Sequence, residues 1–261
     1  MPALARRTQE IPPFRVMAIL AEARALAEQG RDIIHLEIGE PDFATPGPIL
    51  NAGLAAMHAG STHYTPALGL PALRAAIAAD YAERHGVVLD ESRIGVTSGA
   101  SAALLLAMSA LFDPDDEILM TDPGYPCNRQ FARVVEARAV GVPVDASTRY
   151  QLTPELLARH WGPRTRGVLL ANPGNPAGTL IADADMRAMH AFVCERGGWL
   201  LVDEIYHALV YGQQPRSATA LGDDVIVINS FSKYFQMTGW RLGWLVMPPV
   251  VVEAVERLAQ N

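Results

Sequence analysis

The sequence predicts an α/β protein built on a mainly parallel, seven-stranded sheet flanked by helices. Three observations carry this. Seven short apolar runs rich in Val, Ile and Leu recur beyond residue 90, helical patterns lie between several of them, and polar clusters come directly after five of the runs. A sheet buried on both faces needs near-continuous apolar strands, and parallel neighbours need crossovers of about a dozen residues.

At the start of the chain, Val16, Ile19, Leu20 and Leu26 recur at helical spacing and predict a helix in an N-terminal arm. The stretch Pro41 to Pro48, with three prolines and one glycine, separates that arm from the rest of the chain. The seven strand candidates are Ile94–Thr97, Glu117–Thr121, Ala139–Val144, Gly167–Ala171, Trp199–Asp203, Val225–Asn229 and Leu242–Met247. Helical stretches at Ala100–Phe112, Pro154–His160 and Asp183–Arg196 can serve as crossovers. In such sheets ligands bind beyond the carboxyl ends of the strands. That is where Ser98-Gly99, Asp122 to Tyr125, Asn172 to Asn175, Asp203 to Tyr206 and Ser230 to Lys233 fall.

Composition narrows the chemistry. A net charge of −7 without any Lys/Arg-rich block speaks against nucleic acid and anionic membranes as partners. Ala102 to Phe112, the most apolar run, is too short to cross a bilayer, and the opening residues lack a signal-peptide core, so a cytoplasmic location is expected. Cys127 and Cys194 lie far apart without C-x-x-C spacing, and the seven histidines show no close ligand spacing. No disulfide and no metal site is expected.

Of the 21 basic residues, 20 are arginine and one, Lys233, is lysine. An amine can lose its proton and attack a carbonyl, which a guanidinium cannot do. Lys233 therefore marks imine chemistry with an aldehyde, for which pyridoxal phosphate is the obvious cofactor. That cofactor needs an anion site, a carboxylate for its ring nitrogen and a donor for its phenolic oxygen. Ser98-Gly99-Ala100-Ser101 lies between a strand and a helix, where free backbone N–H groups face an anion, and Arg241, Ser230 and Ser232 add to it. Asp203 ends an apolar run and suits a protonated ring nitrogen, although it also suits a helix N-cap at Glu204. Tyr206 and Asn175 are candidates for the phenolic oxygen, and Tyr125 for stacking on the ring.

Together these residues resemble fold-type I pyridoxal-phosphate enzymes, specifically the class I/II aminotransferases. The landmarks occur in the family order: Gly39-Glu40-Pro41-Asp42-Phe43, Tyr64 before Gly69-Leu70-Pro71, Ser98-Gly99-Ala100, Asp122-Pro123-Gly124-Tyr125-Pro126, Asn172-Pro173-Gly174-Asn175-Pro176-Ala177-Gly178, Asp203-Glu204-Ile205-Tyr206, and Ser230-Phe231-Ser232-Lys233 with Arg241. The family usually has threonine where Ala177 stands, a change that leaves Asn175 in place.

The resemblance implies an aminotransferase that moves an amino group between an L-amino acid and a 2-oxo acid. Lys233 would form the imine with the cofactor and then shuttle the α-proton. Asp203 would meet the ring nitrogen, Asn175 and Tyr206 the phenolic oxygen, and Tyr125 the ring face. Ser98, Gly99, Ala100, Ser230, Ser232 and Arg241 would hold the phosphate, with Tyr64 reaching it from the other subunit of a homodimer. Gly39 and Asn175 would meet the substrate, Gly39 through its N–H to the α-carboxylate. Residues 1–44 would form an arm belonging to the family's small domain and residues 45–261 the large, cofactor-binding domain. The family continues for about one more small domain after the helix expected near Val250, whereas this sequence stops at Asn261. The implied C-terminal small domain and its carboxylate-binding arginine would then be absent. Two other readings share the motifs, a pyridoxal-phosphate C–S lyase and a non-catalytic cofactor-binding fragment. A nicotinamide enzyme is disfavoured because no G-x-G-x-x-G run occurs.

Overall fold

Proline and glycine punctuate the helices that frame the sheet. The computed structural model of the chain describes residues 2–212 and 214–261, so Met1, first residue of the predicted arm, lies outside it. The helices are α1 (Arg6–Glu10), α2 (Arg15–Glu28), α3 (Gly47–His58), α4 (Pro71–His85), α5 (Ala100–Leu111), α6 (Pro126–Val134), α7 (Pro154–His160), α8 (Asp183–Glu195) and α9 (Pro249–Gln260). Proline stands in the first turn of α3, α4, α6, α7 and α9, where its missing N–H costs nothing. Gly86 ends α4 in the left-handed conformation, at φ 66°.

The strands are β1 (Ile94–Thr97), β2 (Glu117–Asp122), β3 (Arg138–Pro143), β4 (Thr165–Ala171), β5 (Trp199–Asp203), β6 (Ile226–Ser230) and β7 (Gly243–Val246). All seven predicted strands form, β1 and β5 with the predicted ends and the others with ends displaced by at most two residues. They make one sheet in the order β1-β7-β6-β5-β4-β2-β3. Neighbours from β6 through β3 run parallel, whereas β7 is antiparallel to both β6 and β1. The cause lies in the connections. Helices α6, α7 and α8 carry the chain between β2, β3, β4 and β5, and the longer segment 204–225 joins β5 to β6, whereas residues 231–242 form no α-helix and lead the chain back along β6 as β7.

Alternate side chains of the strands enter two separate cores. Leu119, Val168, Leu170, Leu200, Val202, Val227 and Trp244 face Ile77 and Tyr81 of α4 and Met189 and Val193 of α8. Ile118, Met120, Leu169, Leu201, Ile226, Ile228 and Leu245 face Leu104 and Met108 of α5 and Val251 and Val255 of α9. Burial on both faces is why the strands read as unbroken apolar runs. The helix predicted in the arm forms as α2, but none of its residues is buried, and Ile19 is exposed. Among the described residues no helix is long and apolar enough to cross a membrane.

Candidate active site

The parallel strands direct their carboxyl ends to one edge, and the reversed β7 begins at that same edge. Its first residue, Gly243, pairs with Thr97 of β1 on one side and Ser230 of β6 on the other. This register brings together the Ser98-Gly99 turn, the Ser230–Lys233 segment and Arg241. The contact is close enough to demand glycines. A Cβ on Gly243 would stand 2.8 Å from the amide nitrogen of Ala100, and one on Gly99, at φ +87°, would stand 2.5 Å from Nη2 of Arg241.

Gly99 caps α5 without a side-chain contact, which leaves amide groups of the first turn facing outward beside the Arg241 guanidinium. The Ser230 hydroxyl donates to Oγ of Ser232 at 2.8 Å, and both serines are buried. Ser98 is exposed at the turn itself. These groups form a small cationic, donor-rich cup.

Next to the cup is a cavity of about 490 Å³ lined by Gly39, Ala100, Tyr125, Asn175, Asp203, Tyr206 and Lys233 among others. Seven residues singled out from sequence, contributed by the arm and five strand ends, thus share one space. Lys233 Nζ donates to the Gly39 carbonyl at 2.5 Å. Burial lowers its ammonium below the usual lysine range, with Glu40 opposing the effect and Arg241 adding to it.

Asp203 accepts a hydrogen bond from the Ile205 N–H at 3.0 Å. Its carboxyl is pushed up to about 6, chiefly by burial, with the Ile205 N–H opposing and Glu204 adding. No helix begins at Glu204, so the capping alternative reduces to this single turn contact. The phenols of Tyr125 and Tyr206 are both raised, by burial first and with Asp203 contributing to each. Tyr125 meets Phe14 edge-on, with ring centroids 6.3 Å apart.

Asn175 stands on the turn after β4. Gln151, buried, holds this turn by donating from Nε2 to the Thr179 carbonyl at 2.8 Å and to that of Ala171 at 3.3 Å. Gly174 makes room for it, since a Cβ there would lie 2.6 Å from Nε2. Sequence reasoning missed Gln151, whose position between a turn and a helix carries no signal of its own. It also missed Phe14, Val16 and Met17 of the arm and Ile205, all of which line the cavity. Tyr64 is fully exposed and does not line the cavity.

Residues 31–261 match the family model described as "Aminotransferase class I and II". The chain belongs to the class I and II aminotransferases. It is 40% identical over 253 residues to the valine–pyruvate aminotransferase of Mycobacterium tuberculosis, an alignment covering 96% of this chain and 65% of that protein. To the aspartate aminotransferase of Streptomyces avermitilis it is 35% identical, covering 98% of this chain and 64% of the relative. Among solved structures, Thermus thermophilus aspartate aminotransferase with maleate superimposes with a TM-score of 0.95 at 31% identity, covering 100% of this chain and 68% of that one. The chain thus spans about two thirds of the length of the relatives it matches.

Class I and II aminotransferases depend on pyridoxal 5'-phosphate, and the site fits that group. An anion would meet the Gly99 turn, the two serines and Arg241. A carboxylate lifted to about 6 by burial, with no cation paired to it among the described residues, suits a cationic ring nitrogen. A half-buried amine with a lowered proton affinity suits an aldehyde.

Proposed function

We propose that this aminotransferase family member moves an amino group between an L-amino acid and a 2-oxo acid at the cavity bounded by Lys233 and Asp203. The observation that carries the proposal is their shared cavity, which the chain's one lysine lines together with a half-buried carboxylate. Bound pyridoxal 5'-phosphate supplies an electron sink for charge developing at the substrate α-carbon.

The chain's own residues do the rest. Gly99, Ala100, Ser230, Ser232 and Arg241 hold the phosphate, with Ser98 at the turn's entrance. Asp203 would stay ionised against the ring nitrogen, Asn175 and Tyr206 would orient the phenolic oxygen, and Tyr125 would cover the ring. Lys233 would hold the cofactor through its aldehyde, and its Nζ would move the proton at the substrate α-carbon. The Gly39 carbonyl keeps that nitrogen aimed into the cavity. The backbone of Gly39, with Asn175, receives the substrate.

The reading extends to the assembly. Tyr64, fully exposed, is available to reach the phosphate of a neighbouring copy in a homodimer. Residues 1–44 act as an arm over the cavity and residues 45–261 as the cofactor domain, in a cytoplasmic protein.

Borohydride treatment of the chain loaded with pyridoxal 5'-phosphate tests the central claim. A pyridoxyl mass on the peptide containing Lys233 is expected, together with production of a 2-oxo acid from an amino donor. Retained cofactor with an unmodified Lys233 would sink the covalent role.

A further inference from the structure

We propose that His190, Cys194 and Asp224 form a binding site for a divalent cation of zinc's type, remote from the cavity. His190 and Cys194 are four residues apart on α8 and so project from one face, one turn apart. Asp224 comes from the segment before β6, 30 residues beyond Cys194. Both α8's last turn and Asp224 sit at the amino ends of β5 and β6, whereas the cavity lies at the carboxyl ends.

The three donors already converge. Nε2 of His190 is 2.9 Å from one carboxylate oxygen of Asp224. Sγ of Cys194 donates to the other oxygen at 3.0 Å, and the three donor atoms lie within 4.8 Å of one another. Gly222 keeps the space beside them clear, since a Cβ there would stand 2.8 Å from Oδ1 of Asp224 and 3.9 Å from Cε1 of His190. Cys194 and Asp224 are exposed, so an ion has a path from solvent.

The order of the groups argues against nucleophilic chemistry. An activated thiol needs the imidazole against its sulfur, and here the carboxylate stands between them. One nitrogen, one sulfur and one oxygen converging on a point are instead a borderline ligand set. Zinc takes such ligands at about 2.0–2.3 Å in a tetrahedron that a water can complete. Binding displaces the Cys194 thiol proton to solvent and changes no oxidation state. The ion would tie α8 to the segment leading into β6. The spacing His190-x-x-x-Cys194 is invisible as a motif without the helix, and Asp224 joins it only through the fold.

Metal titration of the chelator-stripped chain reads the site without reference to transamination. One zinc per chain is expected in competition with a chromophoric chelator, along with a higher thermal midpoint. Cobalt should show a thiolate charge-transfer band in the near ultraviolet. Cys194→Ser should abolish that band, and Cys194→Ser, His190→Ala and Gly222→Val should each weaken zinc binding at least about tenfold, a loss that even outer partners of a metal site can produce. The band should survive Cys127→Ser. No thiolate band in the unaltered chain, or a band and affinity that survive Cys194→Ser, would overturn the site.

Discussion

Asp203 joins burial to chemistry more tightly than any other side chain at the cavity. One oxygen is held by the Ile205 N–H, and burial has lifted its carboxyl to about 6. A cation placed against it restores ionisation, and the ionised form is what makes a pyridinium ring draw electrons. Asp203→Asn keeps the shape and removes the charge. Exchange of the substrate α-proton with deuterated solvent should slow by on the order of a hundredfold or more, the scale of losing one preorganised electrostatic partner. The borohydride adduct on Lys233 should still form. Exchange at the original rate in that variant would refute the electron-sink role. Asp203 and Lys233 were both legible in the sequence, because a carboxylate closing an apolar run and a solitary lysine in an arginine-rich chain are chemical anomalies at known positions. Gln151 and Phe14 were not legible, since each is an ordinary residue made relevant only by what the fold sets beside it.

Among the elements, β7 decides whether the donor-rich cup beside the cavity exists. Wedged antiparallel between β1 and β6, it sets Arg241 against Gly99 and sets the register of Ser230. Its run was recognisable from hydrophobicity, but its direction and neighbours were not, because periodicity carries no pairing information. Gly243 is the sensitive point. An added Cβ would meet backbone on two sides, the Gly99–Ala100 peptide at 2.8 Å from both C and N and the Asn229 carbonyl oxygen at 2.9 Å. Backbone cannot swing aside as a side chain can. Gly243→Ala should therefore cost about 1–3 kcal/mol in urea denaturation, as overpacking does, and weaken cofactor retention on dialysis. Gly239→Ala, where a Cβ meets nothing within 4 Å, serves as the control. Equal behaviour of the two variants would show that the strand junction tolerates strain.

At the scale of the whole molecule, buried titratable groups make stability depend on pH. Glu204 is 1% exposed and accepts hydrogen bonds from Ser217 Oγ at 2.9 Å and Ala218 N at 2.6 Å. Burial pushes its carboxyl from 4.5 up to about 7, those two bonds opposing. The folded state thus holds this proton more tightly than the unfolded chain. The corresponding stability is full below about pH 4.5 and lost as pH rises through about 7. His85 and His207 act in the opposite sense. Burial lowers both from 6.5 to about 4, so their contribution is full above 6.5 and lost as pH falls toward 4. Glu204→Gln removes the first effect alone. Its stability relative to the unaltered chain should be greater at about pH 8 than at about pH 5, by on the order of 1–3 kcal/mol in urea denaturation. The same difference at both pH values would place the proton elsewhere.

The amino-acid sequence by itself determined the α/β class, the seven strands and the residue types that pyridoxal phosphate chemistry requires. These are local properties: apolar runs, turn residues and the reactivity of single side chains, each readable within a few neighbouring positions. Tertiary structure alone decided the strand order, the reversal of β7, the cavity that joins the arm to five strand ends, and the convergence of His190 and Cys194 on Asp224. All of these depend on contacts between residues distant in the chain, set by packing two faces of one sheet at once, and no local pattern specifies them.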